Sequence, residues 1–253
     1  MDIKAATYRH QGLKFVGTLG RPFDQAQDKP SETRARKVPG VLLLHGFPGA
    51  EKNADVARAL LQRGLAVFTL HFRGAWGSDG EYAFRNLVDD ARAGLDYLEG
   101  REGVDRRRLG VFGYSMGGWT ALQLAAGDPR LKAVAALAPV GEDGGRDAGE
   151  TREFIRRSCA VLRVGDPDAL ADDFFASVRP RDPVDAALGL GKRPLLLVHG
   201  DRDPLIPLHI SKDIHAAARG PKKLVVIKGA EHHFLPQRER LSKLVADWFK
   251  ETL

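Results

Sequence analysis

The chain has 253 residues, of which 43% are hydrophobic, and its formal net charge is +6. This length suits one domain, 1–253, with a sizeable core, while the apolar runs are too short to span a membrane and one cysteine excludes an intrachain disulfide. The basic residues form short clusters among 33 acidic ones, which is typical of a solvated surface rather than a nucleic-acid-binding stripe. We therefore expect a cytoplasmic protein without a nucleic-acid or membrane partner.

The first forty residues have a different pattern from the rest of the chain. Residues 4–8 and 14–19 are predicted to pair as a hairpin around Gly12. Residues 23–39 are polar and contain proline and lysine, which predicts a loop. We expect this part of the chain to form an antiparallel edge of a sheet, followed by a surface excursion.

Short apolar runs alternate with helical stretches from Val41 onward, which is typical of a parallel α/β sheet. The runs are hydrophobic throughout rather than at alternate positions, as in strands that are covered on both faces. The stretches between them have apolar residues near a 3.6-residue spacing. Strands are predicted at 41–44, 65–70, 109–112, 131–137, 195–198 and 224–227, and helices at 54–62, 87–98, 116–126, 208–218 and 241–248.

Residues 139–193 interrupt this alternation. A glycine-rich loop is expected at 141–146. It is followed by apolar residues at helical spacing, namely Phe154, Ile155, Cys159 and Leu162, and then Leu170, Phe174 and Val178. We predict a helical insertion that folds as a lid over the carboxyl edge of the sheet, rather than an ordinary crossover helix pair, because short crossovers are the norm.

The most informative motif is G-Y-S-M-G at 113–117, which lies between a predicted strand and a predicted helix. G-x-S-x-G at such a turn is the pattern of a nucleophile elbow, in which the neighbours of the serine need to be nearly free of side chains. The following helix directs its N-terminal amides toward the place where an oxyanion would form. Ser115 is therefore a candidate nucleophile, and a tight packing turn is the alternative interpretation of this pentapeptide alone.

A serine nucleophile needs a base, and the base needs an acid that fixes its tautomer. Both residue types follow later strands, since H-G-D-R-D at 199–203 follows the strand at 195–198, and A-E-H-H-F at 230–234 follows the strand at 224–227. Open α/β sheets place their active sites at these carboxyl ends. The candidate acids are Asp201 and Asp203, and the candidate bases are His232 and His233.

A further element of the candidate site lies upstream. The strand at 41–44 ends in H-G-F-P-G at 45–49, which is a glycine-rich turn. A turn at this place supplies one backbone amide of an oxyanion hole, and the residue after the nucleophile supplies the other. The candidates are the amides of Phe47 and Met116. We interpret His45 as a turn-stabilising residue rather than a base.

These elements, together with R-G-A-W-G-S at 73–78, resemble those of serine hydrolases of the α/β-hydrolase family, and the resemblance runs from about Val41 to the C-terminus. Within the family the chain is most similar to small feruloyl and other carboxyl esterases. It also resembles dienelactone hydrolases and the catalytic domains of prolyl-oligopeptidase-like peptidases. The resemblance implies an α/β-hydrolase fold, with a mostly parallel central sheet of about eight strands, helices on both faces and a small helical lid insertion.

The resemblance also selects among the candidate site residues. In the family pattern H-G-x-x-D-x-x-V-P the acid is the second carboxylate, which is Asp203 here, and Asp201 is then a turn residue. In the family pattern G-A-x-H-x-F the base is His232, and His233 becomes a neighbour that lines the pocket. The chain order of Ser115, Asp203 and His232 agrees with that of the α/β hydrolases.

The predicted function is that of a serine carboxylesterase, which hydrolyses carboxylic esters through an acyl-enzyme on Ser115. Aryl esters such as feruloyl esters, or esters of short to medium acyl chains, are the expected substrates. The alternative is a prolyl-oligopeptidase-like aminopeptidase or amidase, and a non-catalytic binding protein of the same fold is less favoured. Dienelactone hydrolases carry Cys where this chain has Ser115, and the oligopeptidases carry a large N-terminal propeller that does not fit before Val41. Both differences favour the esterase.

Substrate contacts are predicted from residue type and place alone. The residues predicted to bind substrate are Trp76, Tyr114, Phe174 and His233. Further candidates for an apolar acyl or aryl pocket, or alternatively for the core, are Phe47, Phe154, Ile155 and Phe175. No metal or cofactor is expected, because the sequence has neither H-E-x-x-H, a cysteine cluster nor a nucleotide-binding glycine motif. A small-molecule ester is the expected partner, and the sequence leaves open whether the chain forms a homodimer.

Overall fold

The computed structural model describes residues 2–22, 37–141 and 147–253. Its strands are β1 (Asp2–His10), β2 (Leu13–Arg21), β3 (Val38–Leu44), β4 (Ala66–His71), β5 (Val104–Tyr114), β6 (Leu131–Leu137), β7 (Leu195–Gly200) and β8 (Lys222–Ile227). Within the described residues they form one sheet in the order β1-β2-β4-β3-β5-β6-β7-β8. The pairs that involve β2 are antiparallel and the others are parallel. The mostly parallel eight-stranded sheet confirms the predicted fold class.

The helices cover both faces of this sheet. In the described ranges they are α1 (Ala54–Gln62), α2 (Leu87–Glu99), α3 (Met116–Gly127), α4 (Ala148–Ser158), α5 (Pro167–Ser177), α6 (Pro183–Gly189), α7 (Leu208–Ala217) and α8 (Arg238–Thr252). Apolar side chains of α1 and α8 share one core cluster, and those of α2, α3 and α7 share the other. The faces are therefore closed, and the carboxyl edge of the parallel strands is left for the loops that carry the candidate site.

The N-terminal hairpin forms an edge of the sheet, as predicted. β1 and β2 pair in antiparallel register from Asp2 opposite Arg21 to His10 opposite Leu13. The connecting turn contains Gly12, whose φ is +80°. β2 continues the sheet by pairing antiparallel with β4. The predicted antiparallel edge is thus confirmed.

Two strands, β3 and β5, begin three or more residues earlier than the sequence predicts. β3 begins at Val38, so the last two residues of the loop predicted at 23–39 belong to a strand. Residues 23–36 of that predicted loop lie outside the described part. The pairing of β3 with β5 shifts register between Val38 and Gly40, and this irregularity accommodates Pro39, which has no N–H to donate. β5 begins at Val104 rather than at 109. After the buried Val104, residues 105–108 are charged and at least partly exposed, so the apolar pattern of a buried strand does not extend over them.

The segment 139–193, predicted as a lid, contains α4, α5 and α6 in its described part. Side chains of α4 and α5 pack against each other and line a cavity beside Ser115. α6, which the sequence pattern did not reveal, packs instead against α3 and α7. The predicted loop at 141–146 lies, apart from Gly141, outside the described residues. Movement of this segment as a lid stays a prediction.

Candidate active site

Ser115 lies at the sharp turn between β5 and α3. Its φ of +54° and ψ of −117° are costly for a residue that has a side chain. Glycines on either side make the turn sterically feasible. A Cβ on Gly113 would overlap with the backbone of Gly117, and a Cβ on Gly117 would overlap with the carbonyl oxygen of Leu44. The packing of the turn therefore requires both glycines of the G-x-S-x-G motif, and it presents Ser115 at the carboxyl end of β5.

Ser115, His232 and Asp203 form a hydrogen-bonded chain. Oγ of Ser115 lies 3.1 Å from Nε2 of His232, and Nδ1 of His232 lies 2.7 Å from Oδ2 of Asp203. Because an ionised carboxylate only accepts, Nδ1 of His232 donates, and the unprotonated Nε2 accepts the Ser115 hydroxyl. All three side chains are buried. The structure thus brings together three residues that the sequence predicts from three separate strand ends.

The loop after β7 holds the Asp203 carboxylate. Its Oδ1 accepts the backbone N–H of Leu205 at 2.8 Å and that of Ile206 at 2.9 Å. Burial acts to raise the pKa of Asp203, but hydrogen bonds from His199 and His232 outweigh burial and hold this pKa well below its usual range. Asp203 is therefore ionised at neutral pH and offers Oδ2 to His232.

The other two candidates, Asp201 and His233, have different surroundings. Asp201 accepts the backbone N–H of Gly229 at 2.6 Å and so ties two neighbouring loops together. His233 is exposed, and its Nδ1 lies 3.1 Å from the hydroxyl of Tyr114. The same hydroxyl lies 3.2 Å from the main-chain carbonyl of His232. Burial raises the pKa of Tyr114 above its usual range, so the hydroxyl stays protonated and able to donate.

An apolar cavity of about 270 Å³ lies beside Ser115. Loops at the carboxyl ends of the strands and the helices α4 and α5 all contribute lining residues. Four phenylalanine rings lie around it. Their centroids are 5.3 Å apart for Phe47 and Phe84 and for Phe84 and Phe174, and 6.1 Å apart for Phe47 and Phe154. A concave site with an apolar lining and a few polar groups is suited to an apolar part of a small molecule.

The two candidate oxyanion residues, Phe47 and Met116, line this cavity. Met116 is the first residue of α3, where backbone N–H groups have no partner within the helix. In the turn before Phe47, Nδ1 of His45 donates to the Gly46 carbonyl at 2.8 Å, and its Nε2 accepts the N–H of Phe72 at 3.3 Å. Burial lowers the pKa of His45 to about 4, so this histidine is neutral at neutral pH. It fixes the turn that carries Phe47.

Trp76, predicted to bind substrate, is not among the described residues that line the cavity. Its ring centroid lies 4.6 Å from that of His45 and 4.9 Å from that of His71. The ammonium group of Lys52 lies 4.3 Å above the same ring. Trp76 therefore packs against His71 and against His45, which fixes the turn before Phe47, rather than beside Ser115.

Among the further pocket candidates, Phe154 and Ile155 line the cavity, whereas Phe175 is absent from its described lining. The Phe175 ring packs against Phe174, at a centroid distance of 5.6 Å, and lies below the guanidinium group of Arg152. Phe174 and Phe175 are adjacent in α5, but only Phe174 lies on the side of the helix that faces the cavity. Of the residues predicted to bind substrate, the cavity lining includes Tyr114, Phe174 and His233.

Several lining residues were missed because no motif marks them. Phe84 belongs to a short 3₁₀ helix (Phe84–Asn86) before α2, whereas the predicted helix begins only at residue 87. Val140 and Ile206 follow β6 and β7, so their place after a carboxyl strand end was an available signal. The missed residues in the described lining include Phe84, Val140, Thr151, Ser158 and Ile206.

In the described part of the chain, no group of three or more His, Cys, Asp or Glu side chains is arranged to hold a metal ion. Among the helices of the same residues, none is both long and apolar enough to cross a bilayer.

Comparison with known proteins places the chain in a family. Residues 53–253 match the profile of the "Prolyl oligopeptidase family". The chain is 30% identical over 201 residues to the uncharacterized protein Rv2307c of Mycobacterium tuberculosis, and the match covers 77% of this chain and 63% of that protein. It is 28% identical over 173 residues to the uncharacterized protein YfhR of Escherichia coli, over 68% of this chain and 55% of that protein. The chain therefore spans less than two thirds of the length of either relative.

Solved structures show the same fold at lower identity. Est1E from Butyrivibrio proteoclasticus, solved with ferulic acid bound, matches with a TM-score of 0.76 at 22% identity, over 98% of this chain and 99% of that chain. A dienelactone hydrolase from Anabaena variabilis matches with a TM-score of 0.66 at 21% identity, over 100% of this chain and 98% of that chain. With its profile match over most of the sequence, the chain belongs to the prolyl oligopeptidase family, and its fold is that of the α/β hydrolases.

Proposed function

We propose that the protein is a serine carboxylesterase that hydrolyses carboxylic esters through an acyl-enzyme on Ser115. One observation carries this proposal, namely the hydrogen-bonded order Ser115–His232–Asp203 beside an apolar cavity. A buried nucleophile, a base and an ionised acid in this order are the groups that acyl transfer needs.

Each group has a defined role in the proposed reaction. Asp203 fixes the proton of His232 on Nδ1, so Nε2 can take the proton of Ser115 as its Oγ attacks the ester carbonyl. The amides of Phe47 and Met116 stabilise the resulting oxyanion, each contributing roughly 3 kcal/mol to the transition state. His232 then returns the proton to the departing alcohol. Water repeats the sequence on the acyl-enzyme and releases the acid.

The cavity favours an apolar acyl group, and in particular one with an aromatic ring. Phe47, Phe84, Phe154 and Phe174 provide edges and faces against which such a ring can pack. The volume of about 270 Å³ limits the acyl group to a small one. The similar fold of Est1E, whose structure contains ferulic acid, supports the same substrate class.

A second candidate function, that of an aminopeptidase or amidase, is favoured by the family match. Esters and amides need the same three residues, and an aminopeptidase also needs an acidic group for the substrate ammonium. Among the described lining residues, Glu51 is the one carboxylate. It already accepts the Asn53 N–H at 2.6 Å and lies 3.4 Å from Arg238. Its charge is thus partly compensated, which favours the ester over the peptide.

A fluorophosphonate probe tests the nucleophile. We expect the probe to label the wild-type protein and not Ser115→Ala. Ser158 provides a matched control, because it also lines the cavity but follows no elbow motif, and Ser158→Ala should label normally. Equal labelling of Ser115→Ala and the wild type would refute the proposal.

A substrate panel then separates the two candidate functions. We expect p-nitrophenyl esters of aryl and short acyl groups to be hydrolysed with a higher kcat/KM than aminoacyl-p-nitroanilides. Faster turnover of the anilides would assign the protein to the peptidases.

A further inference from the structure

We infer that His199 is a positioning residue, which holds the Asp203 carboxylate in line with His232. This role rests on the proposed function, since His199 acts only through the residues that activate Ser115. His199 lies near the end of β7 and is fully buried, at 0% exposure. No step of the proposed reaction uses it. Burying a polar side chain costs free energy unless it is hydrogen-bonded, so the partners of His199 indicate what it does.

The hydrogen bonds of His199 place a proton on its Nε2. Nε2 lies 2.9 Å from the carbonyl oxygen of Ile206, and because a carbonyl only accepts, Nε2 carries the proton. Nδ1 is hydrogen-bonded to Oγ of Ser211, at a distance of 2.7 Å. The same Nε2 lies 3.5 Å from Oδ2 of Asp203, whose side chain is 1% exposed. The proton on Nε2 therefore faces both the Ile206 carbonyl and the Asp203 carboxylate.

The bond to Ile206 closes the turn that holds Asp203. Ile206 donates its own N–H to Oδ1 of Asp203 and accepts the proton of His199 on its carbonyl oxygen. Its peptide groups are thus fixed from two sides, and Oδ1 is held by backbone amides. The other oxygen, Oδ2, is left to point at Nδ1 of His232. The Asp203 carboxylate lies between two imidazoles, of which His232 moves the proton and His199 keeps the geometry.

Two substitutions separate this role from simple space filling. The side-chain amide of glutamine reaches as far as Nε2 of histidine, so His199→Gln keeps a donor for the Ile206 carbonyl. The amide of asparagine reaches only as far as Nδ1, so His199→Asn keeps a polar group toward Ser211 and loses the donor. Both variants replace a buried ring by a smaller amide. His209→Asn, at an exposed position of α7, is the surface control.

Two readouts are compared in the 253-residue chain. The first is the rate at which a fluorophosphonate labels Ser115. The second is the low-field proton resonance of Nδ1–H in His232, assigned by its loss in Asp203→Asn. We expect His199→Asn to slow labelling by roughly 10- to 100-fold and to shift or broaden the resonance. We expect His199→Gln to label within about threefold of the wild type and to keep the resonance.

Equal labelling rates in His199→Gln and His199→Asn, or an unchanged resonance in His199→Asn, would overturn the role of His199. Failure of the wild-type protein to label would instead contradict the proposed function. The proton resonance can still be read in that case, so the two failures are distinguishable.

Discussion

The buried ion pair of Arg73 and Asp90 makes a prediction about stability that can be worked out from its geometry. The Asp90 side chain is 0% exposed and that of Arg73 is 13% exposed. Nε of Arg73 lies 2.7 Å from Oδ1, and the backbone N of Arg73 lies 3.1 Å from Oδ2. Arg73→Met removes the cation and leaves an unpaired carboxylate in the core. Breaking such a pair costs about 3–5 kcal/mol of unfolding free energy, which lowers Tm by about 6–20 °C in a chain of this size.

The loss should depend on pH, because burial raises the pKa of Asp90 even with Arg73 beside it. Because the pKa of Asp90 is raised in the native state, the native state binds more protons than the unfolded state. Asp90 therefore destabilises the fold when the pH rises above the pKa that Asp90 has in the unfolded chain. Without Arg73 the native pKa is higher still. The stability deficit of Arg73→Met should therefore shrink between about pH 8 and about pH 5, as Asp90 takes up a proton.

Urea and thermal unfolding at both pH values measure this effect. Arg92→Met is the matched control, because its ion pair with Asp89 lies on the same helix, α2, and is exposed, and it should cost less than about 1 kcal/mol. The double variant Arg73→Met/Asp90→Leu should recover most of the loss, since it buries no charge. A deficit for Arg73→Met below about 1 kcal/mol, or one that is the same at both pH values, would refute the reasoning.

Three further predictions concern the candidate site. Phe174→Ala enlarges the cavity, so the kcat/KM preference among p-nitrophenyl esters should move to longer acyl chains by roughly fourfold per methylene group. The Phe175 ring packs outside the described lining, so Phe175→Ala should keep the wild-type preference. Equal shifts in both variants would contradict the assignment of this cavity as the acyl site. Gly113→Ala forces a Cβ into the backbone of the following helical turn, so thermal unfolding should show a loss of roughly 3 kcal/mol or more, and an unchanged Tm would count against this packing. Asp203→Asn should lower kcat by about 10⁴-fold with the fold intact, and a loss below tenfold would remove Asp203 from the acid role.

Much of the fold was predictable because buried parallel strands have an uninterrupted apolar pattern. The positions of β4, β6, β7 and β8 follow from that pattern within a few residues, and so do those of α1, α2, α3, α7 and α8. This apolar pattern does not predict the parts of a strand that extend beyond the core. Residues 104–108 extend β5 although they are mostly charged, and Val38 pairs across the irregularity at Pro39. Both depend on partner strands rather than on the local sequence.

The reacting groups of the candidate site were easier to predict than its cavity. Ser115, Asp203 and His232 each occupy the end of a strand within a short motif, and parallel strands bring their carboxyl ends to one edge. The cavity depends instead on which side of a helix faces inward. Among the described lining residues Phe174 is present and Phe175 is not, while Trp76 packs on His45 and His71. Helical spacing alone does not distinguish these aromatic residues, because it marks every apolar face alike.

Pre-steady-state hydrolysis of a p-nitrophenyl ester tests the central claim most directly, when it is combined with mass analysis of the quenched protein. If Ser115 is acylated, p-nitrophenolate should appear in a stoichiometric burst, and the acyl group should be found on Ser115. Both signals should vanish in Ser115→Ala and persist in Ser158→Ala. Ester hydrolysis with the acyl group on another residue, or an undiminished burst in Ser115→Ala, would contradict the proposed function.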